Sequence, residues 1–356
     1  MTDNGKNANV PDQSPDPSSE APTSPDPSGE EPTLYADTVS EYLPQDPVAA
    51  ASDEASQRER FRQSPGMDVG LEDMPRTASL WGDAWRQLRR RPMFIISAIL
   101  IAILVVISFF PGLFATHDPR DCNLIDSLLL PSSEHWFGTD LQGCDYYSRT
   151  LYGTRVSISI GILSVFFITI IAVVGGSVSG YYGGKVDSII GRITDIWFVI
   201  PTILGGIVIL SLVRTRGIVT VSLVLIVLGW ATLLRLVRSS VLAVKANDYV
   251  EAARAMGASN TRIIMRHVLP NAIAPVIIVS AIYVGVIIAA EAALSFLGVG
   301  LQLPAISWGL MISTAQQRII TAPYLLVFPG AFLSVTVFSF ILMGDALRDA
   351  LDPKLR

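Results

Sequence analysis

Few residues in this chain are of a kind that does covalent or metal chemistry, and their spacing narrows them further. Cysteine occurs twice, at Cys122 and Cys144, and histidine three times, at His117, His135 and His267. Their spacing fits no zinc motif, so no metal site is expected. The phosphate-cradling pattern Gly-x-x-x-x-Gly-Lys-Ser/Thr does not occur: Gly184-Lys185 is followed by Val186 and lacks the upstream glycine spacing. Gly-x-Ser-x-Gly is also absent, and no histidine falls in an apolar run, which argues against a membrane hydrolase. Two carboxylates, Asp195 and Glu291, do lie in strongly apolar segments. Carboxylates inside a membrane are costly and usually face a bundle interior or a cavity. Three readings are open for them: ion-coupling groups of a secondary transporter, a contact for the amino group of a bound solute at Glu291, or packing through hydrogen bonds and ion pairs.

The elements that carry these residues are membrane helices. Half of the 356 residues are hydrophobic, only 16% are charged, and the mean hydropathy is +0.47, a composition of membrane proteins. The net charge of −5 conceals two unlike parts. Residues 1–57 hold twelve acidic residues, nine prolines and one basic residue, Lys6, whereas the remainder carries a net charge of +6. Such an acidic, proline-rich stretch buries too little apolar surface to offset the entropy of ordering it. A disordered tail is therefore expected over 1–76. A bilayer core about 30 Å thick needs roughly 20 apolar helical residues. Six stretches qualify: 93–114, 156–180, 188–212, 218–240, 272–297 and 323–345. Pro201 is expected to bend the third. Ahead of the first span, 77–92 places Leu80, Trp81, Ala84, Trp85 and Leu88 on one helical face and Arg86, Arg89 and Arg90 on the other. That pattern suits a helix lying in the headgroup layer.

With the N-terminus inside, fifteen Lys and Arg flank the inner ends of the spans and six flank the outer ends. The bias places both termini in the cytoplasm. It also places the polar loop 241–271 inside. There, Asp248 is expected to cap a first short helix with Glu251 three residues on, Gly257 to stop it, Ser259 to cap a second, and Pro270 to end that one.

Glu251-Ala252-Ala253, then Gly257, then Leu269-Pro270 resembles the EAA loop of ATP-driven (ABC) importer permeases. The resemblance implies a coupling helix that fits a groove on a separate ATPase. His267-Val268-Leu269-Pro270-Asn271 is similar to the dipeptide, oligopeptide and nickel branch. So is Phe137-Gly138-Thr139-Asp140 with Gly143, Asp145, Ser148, Arg149, Gly153, Arg155 and Ser157. Further matches are the run Glu291 to Gly298 with Ser307-Trp308-Gly309, then Phe328-Pro329-Gly330, and the run Gly344 to Asp349.

The resemblance implies an all-α membrane protein of the type I importer fold, with six transmembrane helices over 93–356 that make half of a translocation pore for peptides. Nickel or another small solute is the alternative cargo. It implies a second permease subunit, one or two ATPase subunits holding ATP and Mg, and an extracytoplasmic binding protein, all at the bacterial cell membrane. This chain itself is expected to be no enzyme, to hold no cofactor and to meet lipid and peptide but no nucleic acid. Cys144 stands where the branch usually has arginine. With Cys122 in the same outer loop, where oxidation is permitted, a Cys122–Cys144 disulfide is expected.

Overall fold

The computed structural model describes residues 88–351 together with Gly82, Trp85 and Arg86. The expected acidic tail lies outside the described residues, as does most of the expected interfacial helix over 77–92. The described residues form helices: α1 Pro92–Phe109, α2 Tyr146–Tyr182, α3 Gly184–Val199, α4 Thr202–Leu212, α5 Ile218–Lys245, α6 Asp248–Ala255, α7 Asn260–Phe296, α8 Trp308–Ala315 and α9 Tyr324–Leu351. No strand occurs among them beyond isolated bridges at Cys122–Cys144 and Thr139–Asp145. The protein is an all-helical membrane protein. Helices α1, α2, α5, α7 and α9 are long and apolar enough to cross a bilayer, and α3 with α4 makes a sixth crossing if the bent pair is counted as one.

The third expected span is not one kinked helix. Pro201 lacks an N–H and drives the residue before it out of the helical region; Ile200 sits at φ −82°, ψ 110°. The chain therefore stops α3 at Val199 and restarts as α4 at Thr202, with an 82° bend between them. At 11 residues, α4 is about 16 Å long, short of the apolar core of a bilayer. By contrast, α2 begins ten residues before its apolar run, because the Asp145 carboxylate accepts the Ser148 N–H at 2.8 Å and caps the helix there.

Helix α2 is the central element, parallel to α5 and antiparallel to α7. Small residues set its approach to α5. A Cβ on Gly176 would lie 2.6 Å from the Val237 Cβ and 2.8 Å from the Leu234 carbonyl oxygen, and one on Gly180 would lie 2.9 Å from the Arg238 carbonyl oxygen. In a membrane such close backbone contact replaces the hydrophobic drive that water supplies elsewhere. Polar contacts add direction: Thr169 and Ser280 hydroxyls lie 3.0 Å apart across α2 and α7, and the Tyr283 hydroxyl donates to the Gly229 carbonyl at 3.0 Å. On the outside of the bundle Ile96, Ile99 and Ile103 of α1 are exposed, an apolar surface suited to lipid. At one end of the bundle Arg91 pairs with Asp349 at 2.5 Å, joining the start of α1 to the end of α9.

Candidate functional site

The polar loop expected to couple to a partner is a compact knob at that same end. Helix α6 starts after Asn247, one residue earlier than a cap at Asp248 would place it, and the Asn247 side chain makes no capping bond. Asp248 and Glu251 thus sit in the first turn as anions near the positive end of the helix dipole, not as a reciprocal capping box. The C-terminus closes as a Schellman motif: Ala258 N–H donates to Ala253 O at 3.1 Å and Gly257 N–H to Arg254 O at 2.9 Å. Gly257 has φ +81°, with open space where a Cβ would point. Its requirement is conformational, not steric crowding. Ser259 then caps the next helix by accepting from Arg262 N–H at 3.4 Å.

Pro270 does not end that second helix. The backbone widens into a π-helical turn over Ile264–Val268, with Leu269 N–H donating to Ile264 O, and runs on as one helix from Asn260 to Phe296. The wider turn accommodates a proline that has no N–H to donate and whose ring would crowd the carbonyl four residues back. The second arm of the knob is therefore the first part of a membrane-crossing helix. Val250, Ala253, Ile263 and Val268 are buried and hold the knob together, while Glu251, Ala252, Gly257 and Pro270 are exposed and Leu269 is half-buried. A cleft of about 440 Å³ opens beside the turn, lined by Met256, Gly257, Arg262, Arg266 and His267 among others. The knob is tied to the bundle through Tyr181: its hydroxyl donates to Asn260 Oδ1 at 3.0 Å, and its carbonyl accepts from Lys245 Nζ at 2.6 Å.

The two carboxylates of the apolar segments have different surroundings. Asp195 lies in α3, largely exposed, and pairs with Arg235 at 2.6 Å; the Arg235 guanidinium also covers the Phe198 ring at 3.8 Å. Glu291 is fully buried, not water-accessible as a position near a span end suggests. It accepts hydrogen bonds from the hydroxyls of Ser157 at 3.3 Å, Ser295 at 2.8 Å and Ser307 at 3.1 Å. No basic side chain reaches it among the described residues. The serines come from α2, α7 and the N-cap of α8, so one carboxylate fastens three elements. Beside it Trp308 is wholly buried and donates from Nε1 to Thr150 O at 3.0 Å. No sequence rule pairs Glu291 with Ser157, which is 134 positions away.

The opposite end of the bundle is closed by residues 115–145. Cys122 and Cys144 are joined by a disulfide, with Cα atoms 4.1 Å apart. Asp140 accepts from Gln142 N–H at 2.8 Å, from Cys144 N–H at 3.0 Å and from Arg149 Nη1 at 2.7 Å. Phe137 stacks on Phe328 at 3.8 Å, nearly parallel, and the Tyr324 hydroxyl donates to Thr139 O at 2.9 Å. These contacts fix the loop to α9. Asp145, beyond capping α2, faces two imidazoles: Nδ1 of His135 lies 2.9 Å from its Oδ1 and Nδ1 of His117 lies 3.8 Å away. Burial works to raise the Asp145 carboxyl. Hydrogen bonds from His135 and from the backbone and hydroxyl of Ser148, with His117 beside it, outweigh that and hold it below its ordinary range. Linear spacing hides this cluster, because its three members come from separate stretches that only the folded loop brings together.

These elements make a polytopic helical bundle with a closed loop at one end and an exposed helical knob at the other. Comparison with known proteins gives the family. Residues 156–356 match the binding-protein-dependent transport system inner membrane component family, and residues 79–131 match the N-terminal TM domain of oligopeptide transport permease C. The oligopeptide transport system permease protein OppC of Bacillus subtilis (strain 168) is 37% identical over 281 residues, covering 79% of this chain and 92% of that protein. The dipeptide transport system permease protein DppC of Alkalihalophilus pseudofirmus is 37% identical over 289 residues, 80% of this chain and 93% of that one. The glutathione transport system permease protein GsiD of Pectobacterium atrosepticum is 36% identical over 277 residues, 78% and 92%. The chain belongs to this family as an OppC/DppC-type permease. It is a multi-pass inner-membrane permease component of an ABC transporter that works with an ATPase and a binding protein. The ion-coupled alternative is thereby set aside.

Proposed function

We propose that this chain forms half of the pathway of a peptide importer, and that α6, the Gly257 turn and the start of α7 seat on a separate ATPase. The observation that carries the coupling reading is the continuity of Asn260–Phe296. A load applied to the exposed face of α6 passes through the Gly257 turn into a helix that crosses the bundle, with no loop in between to absorb it. Glu251, Ala252, Ala253, Gly257, Leu269 and Pro270 are the coupling residues in this reading, and ATP and Mg belong to the partner. Both termini and the knob lie in the cytoplasm, which the excess of Lys and Arg at that end supports. The loop 115–145 and α8 then face outward, towards the binding protein, and a second permease subunit completes the pore. The peptide cargo rests on what the relatives' names say they transport. Glu291 in its serine cradle is a packing group in this reading and not a peptide contact.

The test is the assembled complex in proteoliposomes with a labelled peptide. Glu251→Lys and Gly257→Val should each abolish uptake and the stimulation of ATP hydrolysis by the binding protein, while the subunits still co-purify. Normal uptake in both would remove the coupling assignment. Orientation is checked separately in intact cells. A cysteine at Ser259 should be shielded from an impermeant thiol reagent and one at Ser132 should react.

A further inference from the structure

We propose that His117, His135 and Asp145 form a binding site for a divalent transition ion of the zinc class. Their ligand-type atoms all lie within 4.8 Å of one another. Two imidazole nitrogens and a carboxylate oxygen are a donor set for zinc and its first-row neighbours, not for magnesium or calcium, which take oxygen ligands. In a tetrahedral site with bonds near 2.0–2.1 Å, ligand atoms stand roughly 3.3 Å apart. The separations of 2.9 Å and 3.8 Å from Asp145 Oδ1 to the two Nδ1 atoms bracket that value. An arriving ion takes the place of the His135–Asp145 hydrogen bond, with the His135 proton held on Nε2 instead, and draws the more exposed His117 ring inward.

The division of labour within Asp145 supports the same reading. Oδ2 is committed to the helix N-terminus through Ser148 N–H at 2.8 Å, with Thr116 Oγ1 at 3.4 Å. Oδ1 is the oxygen turned towards both histidines. The backbone of the cluster is held by hydrogen bonds on both sides. Ser132 N–H and Gly138 N–H both donate to His135 O, at 2.8 Å and 2.9 Å, and His117 N–H donates to Ser148 Oγ at 3.1 Å. The Cys122–Cys144 disulfide closes the loop at the residue before Asp145. Ligands held by their own backbone contacts need little ordering when an ion arrives. Asp145 is 1% exposed, His135 15% and His117 39%, so the open side of the cluster is the His117 side, where water can complete the coordination. His117 Nδ1 also lies 3.1 Å from the Thr116 hydroxyl, a contact the ring gives up to bind metal. An ion here would clip the segment after α1 to the start of α2.

The experiment uses the full chain purified in detergent, stripped with chelator and titrated with Zn²⁺, with Co²⁺ absorption as a report on ligand geometry. One Zn²⁺ should bind per chain, and the Co²⁺ complex should show the intense visible bands of a low-coordinate nitrogen–oxygen site. His117→Ala and His135→Ala should each weaken binding at least about 10-fold, and Zn²⁺ should raise the thermal midpoint of the parent chain but not of His117→Ala. His267→Ala, at the other end of the bundle, should change nothing. The His117 ring is partly exposed and its backbone contact survives substitution, so His117→Ala decides the matter even if His135→Ala fails to fold. Absence of saturable Zn²⁺ binding, unchanged affinity in His117→Ala, or loss of binding in His267→Ala would each overturn the site and leave a metal-free histidine–carboxylate clip.

Discussion

The two ends of the bundle are built on opposite plans. At the loop end, residues 115–145 and α8 are bound to the bundle by a disulfide, by the wholly buried Trp308, by the stacked Phe137 and Phe328 rings and by the Glu291–serine cluster. At the knob end, α6 buries little more than Val250 and Ala253, and Met256 and Met265 stand 81% and 62% exposed. The loop end is tied down by contacts within the chain. The knob end presents polar and methionine side chains of the adaptable kind that docking surfaces use. One end is tied by buried contacts and the other is largely exposed, so substitutions at the two ends should fail in different ways.

The largest loss of stability is expected from Trp308→Ala, which empties a fully buried site and removes the bond to Thr150 O. About 3–5 kcal/mol should be lost, read as a fall in the thermal midpoint of the detergent-solubilised chain. Next comes Cys122→Ser with Cys144→Ser. The bridge spans a separation of 22 residues, and opening a loop of that size should cost about 3 kcal/mol. Reductant should lower the midpoint of the parent chain and leave the double variant unmoved. Glu291→Gln is expected to cost about 1–3 kcal/mol, because an amide cannot accept from three hydroxyls as a carboxylate does. Its uptake KM for different peptides should stay in proportion to the parent's. A selective change for peptides with a free amino terminus would instead make Glu291 a cargo contact and erase this part of the contrast. The smallest effect belongs to Glu251→Lys. On an exposed helix face it should shift stability by no more than about 0.5 kcal/mol, yet transport should stop. A variant as unstable as Trp308→Ala would show that the knob, too, is part of the folding core.

Much of the knob is legible in the primary structure because its signals are local. Gly257 needs a left-handed backbone, Ser259 caps, and Glu251-Ala252-Ala253 makes a helix whose ends lie within a few residues. The fate of Pro270 is not local. Whether a proline ends a helix or sits in a widened turn is set by how the chain around it packs: α7 runs on against α2 and α9, whereas at Pro201 the chain breaks and α4 packs back with Gly206 against Leu294. The same residue type thus gives continuity in one place and an 82° bend in the other.

What the sequence by itself determined is the class of molecule, the approximate spans, the placement of the two cysteines in one loop and the helix and Gly257 turn of the knob. Each depends on apolar run length or on short spacings along the chain, which survive without knowledge of neighbours. Only the tertiary structure decided that Glu291 would be enclosed by serines from α2, α7 and the cap of α8, and that His117, His135 and Asp145 would converge. It also decided that the knob would share a helix with a membrane crossing. Those outcomes depend on which helix faces approach, and small residues such as Gly176 and Gly180 set that approach through contacts some 60 positions distant. A linear pattern records which residues are apolar or small, but the partner each one meets is fixed only when the helices pack.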